Sequence, residues 1–66
     1  MNISVNDIKK EISKNTSITD LLAQLDHSQN GIAIAINEEI ILKDNWDNYN
    51  FKNDDAVLII QATQGG

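Results

Sequence analysis

The chain opens with a period of two. Ile3 and Val5 alternate with polar Asn2, Ser4 and Asn6, which predicts a half-buried strand from the first residues. Asn6 and Asp7 both tolerate a left-handed backbone, so they predict a two-residue hairpin turn into a second strand over residues 8–12. That strand is mostly polar, and Lys9 and Lys10 mark it as a sheet edge that discourages further pairing. The period lengthens after Asn15. Ile18, Leu21, Leu22 and Leu25 fall on one face of a helix, whereas Thr19, Gln24 and Asp26 fall elsewhere. Ser17 and Asp20 have the spacing of a capping box, in which a hydroxyl and a carboxylate satisfy free N–H groups at the positive helix end. A helix over about residues 18–26 follows, with Asn30-Gly31 supplying the stop and the left-handed positions for a return to strand.

The second half returns to period two. Ile32, Ile34 and Ile36 alternate with Ala33 and Ala35, which puts large side chains on one face of a strand and small ones on the other. Asn37-Glu38 turns into Ile40-Ile41-Leu42, a short strand apolar on both faces. Residues 43–55 are polar and read as a loop with a helical turn, whose Trp46, Tyr49 and Phe51 form a hydrophobic lid over an open edge of the core. Asn53-Asp54-Asp55 is a turn. The run Ala56–Gln61 is a final strand, apolar enough to be central. Strand, strand, helix, strand, strand, strand makes an α+β domain, a mixed sheet of four to five strands around one helix, with the first and last strands parallel at its centre.

Sixty-six residues make one domain, residues 1–61, followed by a flexible tail over residues 62–66. So short a chain leaves no room for a substrate cleft between two layers. With no Cys and one His, disulfide and thiolate-metal support are absent, and the core falls to Ile, Leu and Val. The net charge of −5 has the wrong sign for nucleic acid or an anionic membrane and points to a basic protein surface as partner. No apolar run is long enough to span a membrane and the start has no secretory pattern, so the expected location is the cytoplasm.

Catalytic constellations fail one at a time. His27, the only imidazole, lies in a polar helix-to-strand connection and reads as a surface residue. Asp54-Asp55, and Asp44 with Asp47, read as solvated turns rather than metal ligands. No glycine-rich phosphate loop exists, and Ser17, between Thr16 and Ile18, lacks the framing of a phosphopantetheine attachment site.

The end of the chain is left. Two of the three glycines are Gly65 and Gly66, a pairing that fits either a frayed end or a tail built for threading. Five extended residues reach roughly 16–18 Å, and a glycine pair passes a channel too narrow for side chains. A free carboxylate is a poor electrophile, so a partner would have to activate it, most simply by adenylation with ATP and a metal. The Gly66 carbonyl would then be the reacting group.

The chain resembles the ThiS sulfur carriers of thiamine biosynthesis over essentially its whole length. The likeness rests on Asn6-Asp7, on Ser17-Ile18-Thr19-Asp20-Leu21-Leu22 leading to Leu25, and on Ile32-Ala33-Ile34-Ala35-Ile36-Asn37. It continues through Ile40-Ile41, Trp46, Asp55 and Gly65-Gly66. The resemblance implies a ubiquitin-like β-grasp fold and a protein that is not an enzyme. A ThiF-like enzyme would adenylate Gly66, using ATP and Mg, a sulfur-donating enzyme would convert it to a thiocarboxylate, and a ThiG-like thiazole synthase would receive the sulfur. No cofactor would be bound stably. Relatives often have Gly at the positions of Glu38 and Asp54, and Val-Pro-Arg where this chain has Ile41-Leu42-Lys43. The MoaD-like carriers of molybdopterin synthesis share fold and tail but tend to be longer, with prolines before the glycine pair; this chain has none. A protein-modifying tag and an interaction domain with an inert tail are the other readings. Counted back from Gly66 against ubiquitin-like relatives, Leu58 and Ile60 face outward as a docking patch. Cover of both sheet faces by the Trp46 segment is the alternative.

Overall fold

The computed structural model describes residues 1–61, so the readings placed on residues 62–66, including Gly65 and Gly66, lie outside the described residues. Five strands and one α-helix form in the order β1 (Asn2–Val5), β2 (Ile8–Glu11), α1 (Ile18–Gln24), β3 (Ile32–Ile36), β4 (Glu39–Ile41) and β5 (Ala56–Gln61) among those residues. The sheet order is β2-β1-β5-β3-β4. The continuously apolar β5 is thus the central strand, parallel to β1 and antiparallel to β3. This is the mixed sheet around one helix that the pattern predicts.

Alternation fixes which face is covered. Ile3, Val5, Ile34, Ile36, Val57 and Ile59 are buried against Ile18, Leu21 and Leu22 of α1. The first hairpin turns on Asn6 and Asp7 at φ 49° and 70°, the left-handed pair expected of a two-residue loop. At the start of α1, the Asp20 N–H donates to Ser17 Oγ at 3.0 Å and the Ser17 N–H donates to Asp20 Oδ2 at 3.2 Å, which completes the capping box.

Three boundaries differ from the sequence reading. The helix ends at Gln24, because Asp26 takes the left-handed position at φ 55°. The Asp26 N–H then donates to the Ala23 carbonyl and the His27 N–H to the Leu22 carbonyl, a Schellman closure with Asp where Gly is usual. Gly31, at φ 70°, serves only the return to β3. The second strand stops at Glu11, and Ile12 turns into the core at 5% exposure. The fourth strand is Glu39–Ile41, so Leu42 lies beyond it and is exposed.

The aromatic segment is a lid on the helix side. Trp46 and Phe51 are buried, Tyr49 is half-buried, and the Trp46 indole N–H donates to the Ile41 carbonyl at 3.0 Å. The Trp46 carbonyl accepts the Ile18 N–H at 3.1 Å, which satisfies one of the free donors at the helix start. Thr19 Oγ1 donates to Asp47 Oδ1 and ties the same segment to the first turn.

Candidate functional site

The outer face of the sheet, opposite the helix, carries the candidate site. Val57 and Ile59 point to the core, so Leu58 and Ile60 point away from it and are 49% and 40% exposed. The facing residues on β3 are small: Ala35 pairs with Leu58 and Ala33 with Ile60. Two large aliphatics therefore stand above a floor of methyl groups. The Trp46 segment does not cover them, since it is spent on the helix side.

Two further aliphatics extend this apolar region. Ala35 also pairs with Ile40, which puts Ile40 on the same face at 58% exposure, and Leu42 follows at 67%. Sequence reasoning missed Ile40 as part of the patch. Its signal was available in the alternation, because a strand apolar on both faces beside an alanine of β3 must expose one set. A shallow hollow of about 200 Å³, bordered by Ser4, Asn37, Ala56 and Leu58, opens beside the patch.

The start of β5 is held by a buried polar cluster. Asp55 is only 4% exposed, not the solvated turn carboxylate its sequence neighbours indicate. It accepts hydrogen bonds from Asn37 Nδ2 at 2.9 Å, the Lys52 N–H at 2.8 Å and, more distantly, Tyr49 Oη at 3.4 Å. Such a buried carboxylate is tolerated because its oxygens are bonded. Burial, with the Asp55 charge beside it, pushes the Tyr49 phenol above its usual value. Asn37 Oδ1 accepts the Ala56 N–H at 3.0 Å, so one amide side chain links the cluster to the first residue of β5.

Asn6 performs a parallel task further along. Backbone pairing of β1 with β5 covers Ser4↔Ala56 and Val5↔Val57, after which β1 turns away. Asn6 Oδ1 then accepts the Ile59 N–H at 2.8 Å in place of a strand carbonyl. The strand that leads to the tail is thus pinned on both sides.

No group of three His, Asp or Glu positioned to hold a metal occurs among the described residues. Asp44 is exposed, and Asp47 is engaged by Thr19. The half-buried His27 has its Nδ1 bonded to the Ser28 carbonyl at 2.9 Å, away from the outer face. Among the described residues no helix is long and apolar enough to cross a membrane. The arrangement offers an exposed apolar surface on a strand held by side-chain hydrogen bonds at Ala56 and Ile59.

The model of the ThiS family matches residues 3–66. A sulfur carrier protein ThiS from Escherichia coli K12 is 33% identical over 66 residues, with all of both chains covered. A crystal structure of the thiamine biosynthesis protein ThiS from Geobacter metallireducens superimposes with a TM-score of 0.84 at 26% identity, covering all of both chains. A solution structure of a thiamine biosynthesis protein from the same organism gives a TM-score of 0.76 at 26% identity, covering this whole chain and 88% of the other. The β-grasp sheet, the placement of β5 and the full-length match together make this chain a member of the ThiS family.

Proposed function

We propose that this protein carries sulfur for the thiazole moiety of thiamine as a thiocarboxylate on Gly66. The observation that carries this reading is the family match over residues 3–66, which includes Gly65 and Gly66. As a sulfur carrier the protein is a macromolecular substrate rather than a catalyst. A ThiF-like adenylating enzyme, using its own ATP and Mg, joins AMP to the Gly66 carboxylate and so supplies the leaving group that a carboxylate lacks. A sulfur nucleophile delivered by a sulfur-donating enzyme attacks the activated carbonyl and expels AMP. The resulting thiocarboxylate passes its sulfur to a ThiG-like thiazole synthase in the cytoplasm. Gly65 gives the tail its narrow cross-section. Leu58 and Ile60, extended by Ile40 and Leu42, form the docking patch for these enzymes.

Intact-mass spectrometry tests the chemistry. Incubation of the full chain with ATP, Mg, a cognate adenylating enzyme and a sulfur source is expected to add the mass of one oxygen exchanged for sulfur. Deletion of Gly65 and Gly66 is expected to abolish that change and leave thermal unfolding in place. An unchanged mass under conditions that convert the Escherichia coli relative would overturn the reading.

A further inference from the structure

Among the described residues, the short helix leaves one end of its own sheet face uncovered. Seven residues of α1 span roughly 10 Å, and beyond Gln24 the chain turns back at Asp26. A groove of about 470 Å³ opens there, floored by Val5, Ile8, Leu25 and Ile59. Ile8 pairs with Val5 on the helix side of the sheet and yet is 71% exposed, the most exposed of the large aliphatics. Leu25, just past the end of α1, is 36% exposed on the other wall.

Charge gives the groove a direction. Lys9 and Lys10 border it; Lys10 pairs with Ile3 and so lies on the groove's own face of β2, whereas Lys9 pairs with Ser4 and reaches the groove only from the strand edge. Asp7 and Asp26 are close in sequence, but among the described residues neither they nor any other Asp or Glu lines it. The rest of the lining is Asn6 and His27. An apolar floor with a cationic rim attracts aliphatic side chains accompanied by carboxylates and disfavours a basic segment.

Its position separates it from the patch around Leu58. Ile59 faces the groove from the helix side of β5, whereas Leu58 and Ile60 face the opposite side. Ile59 is also two residues from Gln61, the last residue of the strand. A segment seated in the groove would hold the carrier near the origin of the tail while the outer face stayed free.

We propose that this groove is a second docking site, and that its occupant is an acidic protein segment presenting adjacent aliphatic side chains. It gives the carrier two chemically different faces. The outer one is apolar, and the inner one selects negative charge. The carrier can therefore be gripped from both sides of β5 at once.

The test is an amide-resolved NMR titration of the full isotope-labelled chain with two capped tetrapeptides, Glu-Leu-Leu-Glu and Lys-Leu-Leu-Lys. At about 5 mM, enough to populate a millimolar complex, the acidic peptide is expected to shift the amides of Ile8, Leu25 and His27 and to leave Leu58 and Ile60 in place. The pair Lys9→Glu and Lys10→Glu should weaken that binding at least roughly fivefold, and Ile8→Ser should weaken it while the spectrum keeps its native dispersion. Absence of shifts at the groove, equal shifts with both peptides, or shifts centred on Leu58 and Ile60 would each overturn the proposal. No adenylating enzyme, ATP or sulfur source is present, so such a failure leaves the carrier reading intact.

Discussion

Six residues other than glycine adopt a positive φ among those described, and five of them are Asn or Asp. These side chains are short and polar and tolerate the left-handed region. Glu38, at φ 72°, is the exception. It follows Asn37, whose own φ is 53°, in the tight turn from β3 to β4. Its longer side chain is exposed and, among the described residues, makes no hydrogen bond that offsets the crowding of Cβ against the backbone. The left-handed conformation costs about 1–2 kcal/mol for an ordinary L-residue, while a glycine there loses roughly 0.5–1 kcal/mol of extra chain entropy on folding. The difference favours glycine at this position. Glu38→Gly is expected to stabilise the fold by about 0.5–1 kcal/mol, a rise of roughly 3–6 °C in a domain of this size. Scanning calorimetry checks it, and an unchanged or lower midpoint would show that Glu38 is not strained.

At the scale of elements, residues 43–55 show what a local pattern can and cannot convey. The three aromatics in a polar stretch were legible as a lid, because Trp, Tyr and Phe have no other way to leave water in so small a domain. The burial of Asp55 was not legible. Its neighbours Asn53 and Asp54 read as a solvated turn, and the bond that draws Asp55 inward comes from Asn37, eighteen positions away in sequence. Only the closure of β3 on β5 brings the two together. Tyr49 reports on this closure, since its phenol lies against Asp55 and against the Phe51 ring, whose centroid is 5.2 Å away. Burial and the Asp55 charge raise its folded-state pKa above the ordinary value of 10.0. The neutral phenol is therefore favoured in the folded protein, and the unfolded chain releases its proton first. The associated stability is fully present below about pH 10 and is lost as pH rises through the folded-state value. Urea unfolding at pH 8 to 11 should show a falling stability that Tyr49→Phe makes shallower. The same substitution at pH 7 should cost less than about 1 kcal/mol, as expected for one long hydrogen bond. Identical alkaline slopes for the two proteins would mean that the phenol is not coupled to folding.

For the whole molecule, topology was the most legible property, because a run apolar on both faces has to sit where neighbours flank it. Ala56–Gln61 is that run, and its central place makes the first and last strands parallel partners. The groove beside Ile8 is not legible in the periodicity, which carries the helix on to about residue 26. The turn at Asp26 ends α1, whereas composition points to Gly31, because glycine is the commoner left-handed residue. The outer face poses the opposite question, namely whether exposed Leu58 and Ile60 contribute to folding or to recognition. Both stand largely clear of the buried core, so replacing either with Asp removes little packing and buries no charge. A stability change within about 1 kcal/mol is expected for Leu58→Asp and for Ile60→Asp. A docking residue at the centre of an apolar interface loses about 2 kcal/mol or more of binding when it is made polar, which corresponds to a drop of roughly 30-fold in kcat/KM for conversion by the adenylating enzyme. The measurement is that kcat/KM beside a thermal midpoint for each variant. Falls in stability that account for the lost conversion would assign these side chains to the fold. Loss of conversion by proteins that unfold where the parent does would assign them to the partner.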